Sequence, residues 1–270
     1  MTEETKQLNQ ELIEKEITHP EILDITKPED IQKAVNMAAS GSPIAFCGEG
    51  IYGLGGIATA FVGIHGEVPN ISEMKERNFY DNPPIGAPSW PMLEKLVDWQ
   101  NLGSSKQLIK DLYDTLPIHL VLPVKENEGL EFAKRREGVL CHAFMCTGDS
   151  QTLQDLISEF ENQTDEVFLM TSANLRGEPS YTKPEQVTKT FPQIPLVLAD
   201  KRIEFTDIAM ENTSFSIYDF TDLPYEIKLL RLGSVAHSSV VQAVIESSVR
   251  PAEFRFDQLD KILTDEPLIT

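Results

Sequence analysis

The chain has 270 residues, 41% of them hydrophobic and 24% charged, which suits a globular protein of one large domain, or one domain with appendages. With 23 Lys plus Arg against 43 Asp plus Glu, the formal net charge is -20. A surface this acidic repels polyphosphate backbones and argues against nucleic acid as a partner. No apolar run approaches the ~18 residues of a membrane span, and Met1 to Lys15 lacks the basic and apolar blocks of a signal peptide, so the expectation is a cytoplasmic protein without a membrane. Cys47, Cys141 and Cys146 have neither the even count nor the close pairing of a disulfide framework or zinc site, and no metal site is expected.

In chain order, residues 1 to about 30 alternate Glu, Lys and Gln with sparse Leu and Ile, the pattern of a peripheral helix or arm. Pro28 to Ala39 is predicted to be an amphipathic helix with acidic residues in its first turn, stopped by Ser40-Gly41-Ser42-Pro43. Ile44 to Phe46 follows as a buried strand, and Pro69 to Pro91 is Pro-, Asn- and Gly-rich, a short helix running into a long surface loop. Pro91 to Gln100 and Lys106 to Thr115 read as helices and Ile118 to Leu122 as a second buried strand, while residues 125 to 150 carry no clear period. Thr152 to Phe160 is a helix whose Leu153, Leu156, Ile157 and Phe160 form a core stripe. Val167 to Met170 is a strand, Lys183 to Phe191 a helix, Ile194 to Leu198 and Ser214 to Phe220 strands, and Ser238 to Ser247 a helix before an acidic tail. The expected organisation is an extension (1–30), one domain (31–235), and a C-terminal helix and tail (236–270).

The most informative stretch is Val167 to Gly177, where an apolar strand ends in Thr171, Ser172, Ala173 and Asn174. A Ser/Asn turn bonding its own backbone is one reading; a ligand site at a strand's carboxyl end is the other. Three further segments weigh on the choice: Ala45 to Leu54, Lys75-Glu76-Arg77 with Asn82-Pro83 behind it, and Leu229 to Gly233 with Arg231. A Lys-Glu-Arg triplet alone is most simply a solvated helix face, but Lys and Arg two residues apart can also grip a triphosphate.

In this order and spacing the four segments resemble the YrdC/YciO family of threonylcarbamoyl-adenylate synthases over about residues 31 to 235. The resemblance implies an α/β fold, a twisted mixed sheet flanked by helices with a large concave cleft, rather than a doubly wound nucleotide fold. It implies ATP or AMP as ligand, with magnesium as the companion of ATP, and a nucleotide site built from Lys75, Arg77, Asn82, Ser172, Asn174 and Arg231. If active, the protein would be a nucleotidyltransferase forming an acyl- or carbamoyl-adenylate, as in tRNA threonylcarbamoyladenosine modification.

The departures from the family pattern fall on the acceptor side. Gly48 and Gly50 stand where the family offers hydroxyls, Ala87 where it has a His, and His119 where it has a Thr. Its carboxylate-gripping Arg belongs between Val139 and Asp149, a window that holds Cys141, His142, Met145 and Cys146 but no Arg. Phe215 takes the place of a Ser, unless Thr213 or Ser214 substitutes through a one-residue shift. Glu49, Tyr52, His119 and His142 are the available compensators. The expectation is therefore a nucleotide-binding member with an altered acceptor, an amino acid or small carboxylate. The alternative is a noncatalytic member that keeps the fold to bind a ligand or protein. The charge weakens a third reading, an RNA-binding translation factor, although a local basic cluster such as Lys134-Arg135-Arg136 stands against the total; such a cluster is more often a solvated face.

Overall fold

The computed structural model describes residues 20–48, 50–63, 69–76, 83–102, 106–128, 130–146, 151–202, 215–221, 226–231 and 255–256. Its first elements are β1 (Glu21–Asp24), α1 (Pro28–Ala39), β2 (Ile44–Gly48), β3 (Ile51–Gly56), α2 (Ala58–Val62), α3 (Ile71–Met74), β4 (Ile85–Gly86), α4 (Trp90–Leu96), α5 (Trp99–Leu102) and α6 (Lys106–Thr115). They continue with β5 (His119–Pro123), β6 (Lys134–Arg136), β7 (Val139–Met145), α7 (Gln151–Thr164), β8 (Leu169–Ser172), α8 (Pro184–Thr190) and β9 (Leu196–Ala199). β10 (Ile217–Asp219), β11 (Glu226–Arg231) and β12 (Arg255–Phe256) close the series. The helix expected at Ser238 to Ser247 lies outside the described residues. The chain divides into two compact units, one from residues 1–81 and 158–209, the other from 82–157 and 210–270.

In the first unit β1 and β2 pair in parallel with β9, and β3 pairs antiparallel with both β2 and β8. Antiparallel pairs inside the sheet exclude the doubly wound arrangement and make this a mixed α/β fold. Helix α1 starts at Pro28, whose missing N–H costs nothing at a helix's first position, with Glu29 and Asp30 favourably placed in that turn. Its buried Ile31, Ala34, Val35 and Ala38 recur at helical spacing and pack on the sheet. Gly41, at φ +92°, ends it.

Strand β3 is glycine-rich for a packing reason. A Cβ on Gly53 would stand 2.7 Å from the Phe46 ring, and one on Gly55 would stand 2.7 Å from the Leu169 carbonyl and closer still to the Phe168 ring. The absent side chains let an edge-to-face aromatic layer lie on the strand: Phe46 and Phe168 have centroids 5.7 Å apart, and Phe160 and Phe168 5.1 Å.

In the second unit β4 pairs in parallel with β7, β7 antiparallel with β5, β5 in parallel with β10, and β10 antiparallel with β11; β6 folds back on β7 as a hairpin. The hairpin turn uses Glu137 and Gly138 at φ +49° and +90°. This hairpin occupies the stretch without a readable period, because β6 is three exposed charged residues with no apolar face to alternate.

Several boundaries differ from the sequence expectations. Strand β1 lies in the stretch read as a helix or arm, held by its ladder to β9. The helix expected over 91–100 is broken: Val97 is extended and bridges Val124, and the Asp98 carboxylate accepts from Gln100 N (3.2 Å) and Asn101 Nδ2 (2.6 Å) to start a new turn. Strand β8 begins two residues later than expected and takes Thr171 and Ser172 into the ladder, opposite Leu54 and Gly53.

Candidate functional site

The first unit assembles a polar centre from two elements. Helix α3 is a single turn fixed by a capping box: Asn70 Oδ1 accepts from Glu73 N at 3.0 Å, and Glu73 Oε2 accepts from Asn70 N at 3.3 Å. The turn ends at Lys75, and Glu76 at φ +51° redirects the chain. Lys75 is therefore no part of a solvated helix face. It is 1% exposed, and its ammonium donates to the carbonyl of Ser172 at the end of β8.

An ammonium removed from water is costly unless dipoles or anions surround it, and the Ser172 carbonyl supplies one such dipole. The Thr171-to-Gly177 loop is clamped by the backbone of Tyr52: its carbonyl accepts from Ala173 N and its N–H donates to the Tyr181 carbonyl, both at 2.8 Å. Inside the loop Ser172 Oγ donates to Asn174 Oδ1 at 2.5 Å, and Asn174 Nδ2 donates to the Glu178 carbonyl at 2.5 Å. The Glu178 carboxylate accepts from the Tyr181 hydroxyl at 2.5 Å, and burial raises the pKa of that phenol.

With its proton engaged by Asn174, the Ser172 hydroxyl keeps its lone pairs as acceptors. The Ser/Asn string bonds its own loop, as the turn reading expects, and the same loop sets the Ser172 carbonyl against the buried Lys75. Gly48 and Gly50 sit at the β2–β3 hairpin, next to the residues of β3 that clamp the loop, with Gly50 at φ +81° and open space where a side chain would stand. Tyr52 is core: its side chain is fully buried, and desolvation pushes its phenol pKa far up. The Asn70–Glu73 cap escaped the sequence reading, although Asn-x-x-Glu before Lys75 is its signature. Arg77, Asn82 and Glu49 lie outside the described residues.

The second unit places the other named positions. His119 is buried on β5 opposite Met145, its ring centroid 5.7 Å from that of Phe215. Burial, reinforced by the Arg231 charge, pushes its pKa down to about 3, so the imidazole is neutral at physiological pH. Arg231 is exposed on β11, and its Nε and Nη2 donate to the Phe215 carbonyl at 3.1 and 2.8 Å. Ala87 is buried at φ +35°, its N–H bonded to the Met145 carbonyl at 2.9 Å.

His142 does not join them. It pairs with Leu122, three residues from Met145 on β7, so it projects from the opposite face to His119. There it packs beside Phe144, its Nδ1 3.2 Å from the Ala143 carbonyl, and burial lowers its pKa to about 4. Cys141 and Cys146 are buried thiols whose pKa values burial raises. Among the described residues no group of three His, Cys, Asp or Glu could hold a metal ion, and no helix is long and apolar enough to cross a membrane.

A mixed α/β fold with a buried lysine seated on a Thr-Ser-Ala-Asn loop defines a class rather than a single protein. The Sua5_yciO_yrdC family model, described as telomere recombination, matches residues 36–233, and the chain belongs to this family. Among solved structures it is similar to P. abyssi Sua5 complexed with L-threonine, at 22% identity and a TM-score of 0.63, over 86% of this chain and 63% of that one. A doubly substituted variant of P. abyssi Sua5 matches at 20% identity and a TM-score of 0.62, over 87% of this chain. The chain thus spans 65% and 63% of the length of these two relatives, the variant and the threonine complex in turn. E. coli YciO matches at 15% identity and a TM-score of 0.59, over 80% of this chain and 95% of that one. No curated sequence matches. At these identities the structural likenesses establish the fold.

Proposed function

We propose that this protein binds an adenine nucleotide at the Lys75–Ser172–Asn174 centre and, if it turns over, forms an acyl- or carbamoyl-adenylate on an acceptor other than threonine. The observation that carries this reading is the buried Lys75 ammonium on the Ser172 carbonyl, inside the motif by which the chain resembles ATP-dependent threonylcarbamoyl-adenylate synthases. A fixed cation with hydroxyl and amide groups beside it suits phosphate, and Arg77 and Asn82 complete the set by resemblance. Such a set positions reactants and stabilises charge without a general base. Magnesium would accompany the triphosphate, with phosphate and water as its main ligands.

The complex of P. abyssi Sua5 with L-threonine supports a small amino acid as the ligand class. In this chain, however, the positions expected to meet threonine are glycine, alanine, a neutral imidazole and a phenyl ring. Those same side chains favour a second reading, a noncatalytic family member. Calorimetric titration with ATP, AMP and L-threonine, separately and together, tests the first: nucleotide should bind and threonine should not. Pyrophosphate release with ATP, bicarbonate and a panel of acceptors separates the two readings; silence with every acceptor supports the noncatalytic one, and threonine-dependent release comparable to an active family member refutes the altered acceptor.

A further inference from the structure

Strand register in the second unit makes Gly86, Met145, His119, Ile217 and Arg231 successive partners on β4, β7, β5, β10 and β11. Cross-strand partners share a face, so Gly86, Met145, His119 and Ile217 form one row on one side of the strands; the β10–β11 register shifts by one residue beside Ile217, and Arg231 is tied to the row by its bonds to the Phe215 carbonyl and its charge near His119. Phe215, two residues before Ile217, lies against His119 and carries the row toward Arg231, whose guanidinium it holds by its own carbonyl. The row is apolar for most of its length: Gly86 contributes no side chain, Met145 is buried, and Ile217 and Phe215 keep partial exposure. Its polar members are a neutral imidazole and, at one end, an exposed cation. Two of the five guanidinium N–H groups are used on Phe215, which leaves donors for a carboxylate.

We propose that this row binds a carboxylate with an apolar body, the carboxylate on Arg231, which the family resemblance alone would give to the nucleotide, and the body against the partly exposed Phe215 and Ile217. The inference rests on the reading that the acceptor differs from threonine, and it names the class of that acceptor. A hydroxylated side chain would exchange its water for at most one bond to the neutral His119, whereas an apolar body gains from burial along the row.

The test is calorimetry on the full chain with 3-phenylpropionate, the uncharged 3-phenylpropanamide, and L-threonine. The acid should bind about tenfold or more tighter than both others, as expected of a charge-assisted contact on an apolar seat. Arg231→Gln, on an exposed residue, should erase the preference for acid over amide, and Phe215→Ser should weaken acid and amide alike. Equal binding of acid and amide by the parent protein, threonine binding as tight as that of the acid, or no binding by protein whose circular dichroism is that of a folded chain would each overturn the proposal. ATP titrated alone keeps the two claims separate. Nucleotide binding without phenylpropionate binding removes this inference and leaves the nucleotide site, and the opposite result does the reverse.

Discussion

Replacing Lys75 with methionine separates a buried charge kept for binding from one kept for folding. The ammonium is 1% exposed, and its bond to the Ser172 carbonyl is one of its contacts. A hydrogen bond from a charged donor contributes ~1.5–3 kcal/mol, and a strand-end carbonyl left without its donor costs about 1–3 kcal/mol. Against that loss, removing the cation lifts a desolvation penalty of several kcal/mol, and methionine refills most of the volume. The net change in stability should therefore stay within about 1.5 kcal/mol, read as the midpoint of a urea titration at constant slope. Nucleotide binding has no such compensation: a phosphate that loses its charge-assisted donor loses ~1.5–3 kcal/mol, a rise in Kd of about 10- to 150-fold for ATP by calorimetry. A variant destabilised by more than about 3 kcal/mol with unchanged ATP affinity would show that Lys75 is a strut for the Ser172 loop, and the nucleotide site would have to be sought elsewhere.

Gly55→Ala should destabilise by ~1–3 kcal/mol or more in thermal or urea unfolding, because the new Cβ meets the Leu169 carbonyl at 2.7 Å and that atom is fixed in the β3–β8 ladder; a change under about 0.5 kcal/mol would contradict the packing account of the β3 glycines. Stability should fall on acidification from about pH 6.5, where the unfolded histidines begin to take up protons, down to about pH 4, where His142 titrates in the fold, and toward pH 3, where His119 does. Each group removes up to ~1.4 kcal/mol per pH unit across its window, since the unfolded state binds the extra proton, and His142→Phe should flatten the profile; a parent profile flat from pH 6.5 to 4 would mean that the histidines are not held neutral. Gel-shift titration with tRNA near physiological salt should show no submicromolar binding: the chain carries a net charge of -20, and in the Lys134–Arg136 cluster Arg135 pairs with Glu126 at 2.6 Å and Arg136 with the buried Asp219 at 2.9 Å. Tight, salt-sensitive binding would show a basic surface that these pairs do not neutralise.

Elements that declare themselves by apolar period were legible in the sequence. The stripe of α1, the Leu153-to-Phe160 face of α7 and the runs of β2 and β5 need only local pattern, since burial on one or both faces dictates residue type. Strand β3 was not legible, because Gly53, Gly55 and Gly56 have poor intrinsic strand preference; Gly53 and Gly55 are there to admit the Phe46 and Phe168 rings, which come from other strands or their flanks, and Gly56 to admit Ala60. The β6–β7 hairpin escaped for a related reason: its outer strand is charged throughout and is specified by its turn and by ion pairs to distant carboxylates.

The candidate site divides along the same line. Lys75, Ser172 and Asn174 were visible as motifs because each acts within a short stretch of chain, through a capping box, a strand end and a loop bonded to itself. The altered positions were visible only as departures; what they have become depends on register, which no local pattern carries. His119 and His142 looked interchangeable as compensators, yet the β5–β7 register sends them to opposite faces. One is thereby made a neighbour of Phe215 and the other of Phe144. A substitution can keep its polarity on paper and lose it in place, because a histidine held neutral by burial is, for an anionic ligand, closer to an apolar residue than to a cation. On the proposed reading, the positions expected to meet threonine are therefore poorer in polar contacts than residue types alone imply, and the acceptor we propose is one chosen by shape and an exposed guanidinium.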